Sequence, residues 1–309
     1  MSKRFALIGP GRVGSAISRA LFENGYQPIA VIGRSLPSAR EACSFIGCDM
    51  SLATTDLRAA GSAELILLAV PDDSIAAVAS QLQRIIDPEP GTTVLMHFSG
   101  VHAAAIMRPP KGGMILFSVH PLLPFADRQQ AFERLSVAPY IGEGDEAAQQ
   151  VAAALCEALG GRLERIPTAK KPLYHAAACL ASNYFVTLIA EATTLLRLCG
   201  IDHHRAEKLL LPLLQNTLDN VALYGAPKGL TGPIVRGDIG TLNAHLLALQ
   251  QQPELRDLYC RLGRRTALLA EDSGHLTSID AETIIGLLKQ NSTYAAENKV
   301  KKTCLSSLF

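Results

Sequence analysis

Residues 9 to 14 read Gly9-Pro10-Gly11-Arg12-Val13-Gly14, a GxGxxG that directly follows the apolar run Phe5-Ala6-Leu7-Ile8 and opens an amphipathic stretch. In that setting the first glycine permits a tight turn, the second lets backbone approach a pyrophosphate, and the third lets a helix pack closely on a strand. The helix would present free N–H groups and the positive end of its dipole to the phosphates. The end of the next apolar run decides between dinucleotides. A carboxylate about twenty residues beyond the glycines would bind a ribose 2′-hydroxyl, but the chain has Val31-Ile32-Gly33-Arg34-Ser35 there. Arg34 can pair with a 2′-phosphate and Ser35 can add a hydroxyl, which makes NADP(H) the expected cofactor. Arg12 is expected over the adenine or near the phosphate, and the plain alternative for Arg34 is a solvated residue at a strand end. Val70 and Pro71 fall where small and apolar residues line the crevice crossed by a dinucleotide, with Asp72 or Asp73 as the N-cap of the next helix.

A second set of residues could handle a substrate. Ser99-Gly100 and His120 each follow an apolar run, at the strand edge where ligands bind in parallel sheets. A histidine there can donate to a substrate oxygen or shuttle its proton, or it can tie a loop to backbone. Ser99-Gly100 reads equally as a simple turn. His97 is turned by strand alternation into the core or away from the cleft. Farther on, Lys171, His175, Cys179 and Asn183 recur every four residues, with Ser182 between the last two, so they form one polar stripe on an apolar helix. Such a stripe faces either a ligand cleft or buried hydrogen bonds within a dimer. Arg236 could orient a carboxylate or phosphate, and Asp238 suits either the N-cap of a following helix or a catalytic acid. His203-His204 and Lys301-Lys302 read as solvated faces, and metal-ligand spacing such as HExxH is absent.

The elements that must carry these residues change character along the chain. From residue 5 to about 166, short apolar runs alternate with amphipathic stretches, the rhythm of β-α-β units. The runs are Phe5 to Ile8, Ile29 to Ile32, Leu65 to Val70, Thr93 to Met96 and Met114 to Val119, with a further pair at Ser136 to Ile141 and Arg162 to Ile166. After Pro167, Ala/Leu-rich segments with helical periodicity take over, at 170–199, 203–223, 238–250, 254–272 and 280–290. The expected organisation is a nucleotide-binding domain over 1–167, a helical substrate and dimerisation domain over 168–290, and a weakly ordered tail over 291–309.

With 309 residues, 48% hydrophobic and 18% charged, the chain can bury a large core. Its 29 basic and 28 acidic residues nearly balance, which argues against a nucleic-acid partner. Seven cysteines, none in a CxxC pair, fit reduced thiols in a cytoplasm, and no secretory signal is evident. Pro172 to Ala190 carries no formal charge, yet His175, Ser182, Asn183 and Thr187 argue against lipid and for a helix buried in the fold or a homodimer.

The GPGRVG start, the AVPDDSI segment, His97-Phe98-Ser99-Gly100, His120-Pro121 and LTGPIVRGD together resemble the Rossmann-like NADP oxidoreductases that carry a C-terminal domain of unknown function. These belong to the 6-phosphogluconate dehydrogenase-like superfamily, beside pyrroline-5-carboxylate reductase, ketopantoate reductase and deazaflavin-dependent NADP oxidoreductases. The resemblance implies an α/β Rossmann-type N-terminal domain followed by an all-α C-terminal domain like that of 6-phosphogluconate dehydrogenase, often dimeric. It implies substrate contacts at Ser99 and Gly100, and an acid/base role on the long helix for Lys171, His175 and Asn183. The spacing from Lys171 to Asn183 is wider than in those enzymes, which ranks His175 and Asn183 above Lys171. The Ser/Thr-rich glycine segment typical of pyrroline-5-carboxylate reductase is not evident. The expected activity is hydride transfer between NADP(H) and a small polar, anionic carbonyl or imine, the alternative being a non-catalytic NADPH sensor or scaffold.

Overall fold

The computed structural model describes residues 4–86, 91–108 and 113–292. The tail expected from residue 291 lies, from 293 onward, outside the described residues, as do Lys301, Lys302 and Cys304. The chain divides into two compact units, Met1–Phe185 and Val186–Phe309.

The N-terminal unit runs β1 (Arg4–Ile8), α1 (Arg12–Glu23), β2 (Gln27–Ile32), α2 (Leu36–Ile46), β3 (Ala53–Thr54), β4 (Leu65–Leu68), α3 (Ile75–Ile85), β5 (Val94–His97), β6 (Ile115–Pro121), α4 (Arg128–Arg134), β7 (Tyr140–Gly144), α5 (Gln149–Ala158), β8 (Leu163–Arg165) and α6 (Lys171–Ala181). The strands form one sheet in the order β3-β2-β1-β4-β5-β6-β7-β8. Neighbours from β3 to β6 pair in parallel, whereas β7 runs antiparallel to β6 and β8 parallel to β7. The chain order reverses between β1 and β4, the switch point at which such sheets bind ligands beyond their carboxyl ends.

Apolar runs without alternation become central strands because both faces of the sheet are covered. In β1, Phe5 and Leu7 join one core with Ile17, Leu21, Met96 and Phe117, while Ala6 and Ile8 join the other with Ile66, Leu68, Ile75 and Leu95. The sequence-derived strands hold with two changes. The run at Ser136 to Ile141 begins as a turn of 3-10 helix, Leu135–Val137, and turns into strand only at Tyr140. The two-residue strand β3 lacks an apolar run that would announce it.

The remaining helices are α7 (Asn183–Leu198), α8 (His203–Lys228), α9 (Ile239–Ala248), α10 (Pro253–Asp272) and α11 (Ser278–Gln290). Helices α9, α10 and α11 share a core that includes Leu242, Leu246, Ala267, Ile284 and Leu288. The single helix expected over 170–199 is two helices, parted at Ser182, whose φ of −117° and ψ of −72° interrupt the ladder. Serine and asparagine compete for backbone hydrogen bonds, and both occur at this join. Thr168–Leu198 is nevertheless long and apolar enough to cross a membrane by length and composition, with none of its apolar window buried.

Candidate active site

A cleft of about 1240 Å³ opens at the switch point, between the carboxyl ends of β1 and β4. Gly9, Pro10, Gly11, Arg12 and Val13 form its floor, Val70 and Pro71 one side, and Arg34 and Ser35 one end. Gly14 lies behind the turn. Gly9 has a φ of +89°, and a Cβ there would fall 2.6 Å from the carbonyl oxygen of Ala69, so only glycine closes this turn. Above Gly11, by contrast, a Cβ would meet nothing within 4 Å, which leaves the backbone open toward the cleft. No side chain caps α1, so its first-turn N–H groups remain available to an anion.

The end beside Arg34 carries residues that the sequence reading missed. Thr55 and Arg58, just beyond β3, line it together with Ser38. Asp56 lies there too, but its carboxylate accepts from the Arg58 backbone N–H at 2.9 Å and sits 3.6 Å from the Arg58 guanidinium. Ser35 is the N-cap of α2, accepting from Ser38 N–H at 3.4 Å. Arg12 lines the cleft and donates to the carbonyl of Ala126 at 2.9 Å. Three arginines, hydroxyls and an uncapped helix start fit a phosphorylated dinucleotide.

A second group of polar residues gathers at the carboxyl ends of β5 and β6. His120, near the end of β6, lies 2.7 Å through Nδ1 from the hydroxyl of Tyr174 on α6. Its ring stands 5.6 Å from that of His175 and nearly perpendicular to it. Both imidazoles crowd Gly100: a Cβ there would come within 2.3 Å of His175 Nδ1 and 3.0 Å of His120 Nε2. Gly100 therefore makes room for the pair. Burial, reinforced by His175 and Lys171, pushes the His120 imidazole down to about 4, so it is neutral near pH 7. His175 Nδ1 is buried and has no hydrogen-bond partner among the described residues, while its Nε2 lies 3.8 Å from Cys179 Sγ.

Behind this pair lies a network centred on the buried Lys171, Ser118, Glu143 and His97. Lys171 is 1% exposed, and its ammonium donates to Ser118 Oγ and, at 3.3 Å, to Glu143 Oε1. Glu143, facing Ser118 across the β6 and β7 pairing, also accepts from Ala104 N–H at 2.7 Å and from Thr168 Oγ1 at 2.8 Å. Burial lowers the Lys171 ammonium to about 8 against the opposing pull of Glu143. His97 is fully buried and is held near 3, first by desolvation and then by the Lys171 charge. Its Nδ1 accepts from Ser99 N–H at 3.1 Å, which places the ring proton on Nε2, 3.3 Å from the Ala103 carbonyl. Ser99 Oγ accepts from the backbone of Val101 and His102 and donates to Asp72 Oδ2 at 2.9 Å. Asp72 thus ties two strand-end loops together, where an N-cap had been expected; no side chain caps that turn.

The structure brings Ser99, Gly100, His120, Lys171 and His175 together within the N-terminal unit. Lys171 and Ser99, however, have their hydrogen bonds taken by the protein itself. Asn183 is exposed and opens α7, past the break at Ser182. Arg236 and Asp238 belong to the C-terminal unit. There Asp238 caps α9, accepting from Thr241 N–H at 2.9 Å and Oγ1 at 2.6 Å, and Arg236 is exposed. Those bonds, joined by the nearby Arg236 charge, hold the Asp238 carboxyl below its usual range. Tyr174 and Glu143 were missed by sequence reasoning; the one signal for Tyr174 is its place next to His175 in the chain.

Residues 3–121 match the Rossmann-like domain model, and residues 138–266 match DUF2520, a domain of unknown function. No curated protein matches the chain. Among solved structures, protein TM1727 from Thermotoga maritima is 26% identical, with a TM-score of 0.69 over 87% of this chain and 98% of its own. A candidate NADP oxidoreductase from Bacteroides fragilis is 23% identical, with a TM-score of 0.68 over 86% and 98%. A pyrroline-5-carboxylate reductase from Coxiella burnetii is 16% identical, with a TM-score of 0.57 over 94% and 99%. The chain therefore joins a Rossmann-like domain to a DUF2520 domain, in a fold shared with these proteins.

Proposed function

We propose that the protein is an NADP(H)-dependent oxidoreductase acting on a small polar carbonyl or imine. The observation that carries this reading is the cleft at the switch point, where a glycine turn and an uncapped helix start lie opposite Arg34 and Ser35. Similarity in fold to an NADP oxidoreductase and to pyrroline-5-carboxylate reductase supports the same class. Bound NADPH supplies a hydride. The chain's residues do the rest: the backbone at Gly9 to Val13 holds the pyrophosphate, and Arg34 with Ser35 holds the 2′-phosphate. His120 and His175, over Gly100, orient the substrate's polar atom and hydrogen-bond to it. Lys171, with its amine locked between Ser118 and Glu143, shapes the wall that presents them and donates no proton to the substrate.

The partner proposed is a second copy of the chain. Helix α7 buries one residue, Thr193, and α8, kinked at Gly225, buries one, Ala206. Leu180, Val186, Leu211, Leu213 and Leu223 stand more than half exposed. So much apolar surface on adjacent elements requires cover, and the polar groups of α6 and α7 suit protein better than lipid. The described cysteines form no disulfide, consistent with a cytoplasmic setting.

Titration calorimetry tests the reading. The wild type is expected to bind NADPH at least tenfold tighter than NADH, about 1.4 kcal/mol, and Arg34→Ala is expected to abolish the difference. Tighter binding of NADH, or binding of neither, overturns it.

A further inference from the structure

We infer that Tyr174 is a positioning residue: its hydroxyl donates to His120 Nδ1, which confines the imidazole proton to Nε2 and aims that N–H into the space over Gly100. The purpose of this arrangement rests on the oxidoreductase reading; the geometry does not. Tyr174 and His175 are consecutive on α6, so their side chains leave the helix about 100° apart. They grip the His120 ring from two directions, with centroids 5.7 and 5.6 Å away and both rings edge-on to it.

Two proton arrangements are compatible with a 2.7 Å contact between a phenol oxygen and an imidazole nitrogen. If Nδ1 carried the proton and donated to the phenol, the phenol's own proton would need another acceptor, and among the described residues Tyr174 Oη has none. If the phenol donates, one bond satisfies both groups. Imidazole nitrogen is also the better acceptor of the two. Burial keeps the phenol protonated, raising it to about 12.

The consequence falls on the other side of the ring. The point 3.0 Å from His120 Nε2 is also 2.3 Å from His175 Nδ1, the buried nitrogen that finds no partner in the described protein. An N–H donor and an orphaned ring nitrogen thus converge over one glycine. That point lies one bond from the Gly100 Cα, so a substrate oxygen or nitrogen would reach the two nitrogens from beyond it, accepting from His120 and meeting His175. Because burial keeps His120 neutral, it meets the substrate with a single N–H donor at Nε2.

The test is long-range nitrogen–proton NMR on histidine-labelled full-length protein, with His120 assigned by its loss in His120→Gln. The wild type without ligand is expected to show His120 as one tautomer, protonated at Nε2. Tyr174→Phe, which keeps the ring and removes the hydroxyl, is expected to yield a mixture of tautomers. A wild-type His120 protonated at Nδ1, or a tautomer unmoved by Tyr174→Phe, overturns the inference; the wild-type spectrum decides even if the variant does not fold. Calorimetry with NADPH on the same sample separates the two ideas, since failure to bind would sink the oxidoreductase reading and leave the tautomer result standing.

Discussion

Replacing Lys171 by Met tests the account of the buried wall. The substitution keeps the aliphatic volume and deletes the ammonium, leaving Glu143, with a side chain 4% exposed, as an anion without its counter-charge. Removing one partner of a buried ion pair costs about 3–5 kcal/mol. Glu143 keeps its bonds from Ala104 and Thr168, so the lower half of that range is expected. At about 2–4 °C per kcal/mol for a unit of this size, Lys171→Met should lower the melting temperature of the N-terminal unit by about 6–15 °C. Neutralising the acid as well, in Lys171→Met with Glu143→Gln, should recover about 2 kcal/mol, a coupling read from a double-mutant cycle. The pH dependence supplies a sign. Folded Lys171 releases its proton near pH 8, whereas the unfolded chain holds it to about 10.5. Between those values the unfolded state binds more protons, so this group's contribution to stability rises with pH, by up to about 3 kcal/mol in full, because the neutral amine sheds the desolvation cost yet still donates to Ser118 and Glu143 as Met cannot. The buried thiols of Cys48 and Cys156 above about pH 9, and the buried phenols of Tyr140 and Tyr174 above about pH 10, act in the opposite sense in both proteins, so the comparison is made over the window pH 8–10. Over it, the wild type should gain stability relative to Lys171→Met in urea titrations. A loss below about 1 kcal/mol at pH 7, or parallel pH profiles, would refute the reasoning.

Other substitutions probe other parts. Gly9→Ala should eliminate NADPH binding by calorimetry and lower the melting temperature, since a Cβ would collide with the Ala69 carbonyl in a backbone conformation that disfavours side chains. Gly100→Ala should leave cofactor affinity within about twofold, under about 0.5 kcal/mol, yet shift the NMR signals of His120 and His175, because the added methyl occupies the space between them. Unchanged histidine signals would contradict the crowding described. Sedimentation should give the mass of two chains for the wild type, and Leu211→Glu with Leu213→Glu should move it toward one. A monomeric wild type would leave the exposed leucines of α8 unexplained.

The N-terminal half was legible because its signals are local. A glycine turn, an apolar run such as Leu65 to Leu68, and an arginine where an acid is usual are all read within a few residues. The polar stripe of Lys171, His175 and Cys179 likewise marks one face of α6. It did not reveal that Lys171 turns inward to a carboxylate while His175 remains over Gly100, because Glu143 arrives from a strand 28 residues earlier. Within its own segment Glu143 sits between two glycines and reads as part of a turn. The break at Ser182 escaped for a different reason: the apolar periodicity continues on both sides of it. Arg58 follows a strand two residues long, too short to leave a pattern.

The pairing of Ser118 with Glu143 bears on how the sheet completes itself. Backbone hydrogen bonds between β6 and β7 are chemically alike in any alignment and cannot by themselves choose one. A slip of a single residue would send Glu143 to the opposite face of the sheet and strand the Lys171 ammonium in apolar surroundings. The ion pair thus proofreads strand alignment at the one place where the sheet changes direction. Since Lys171 comes from α6, that check can be passed only when the helix has docked, so the alignment of β6 with β7 and the seating of α6 are fixed together.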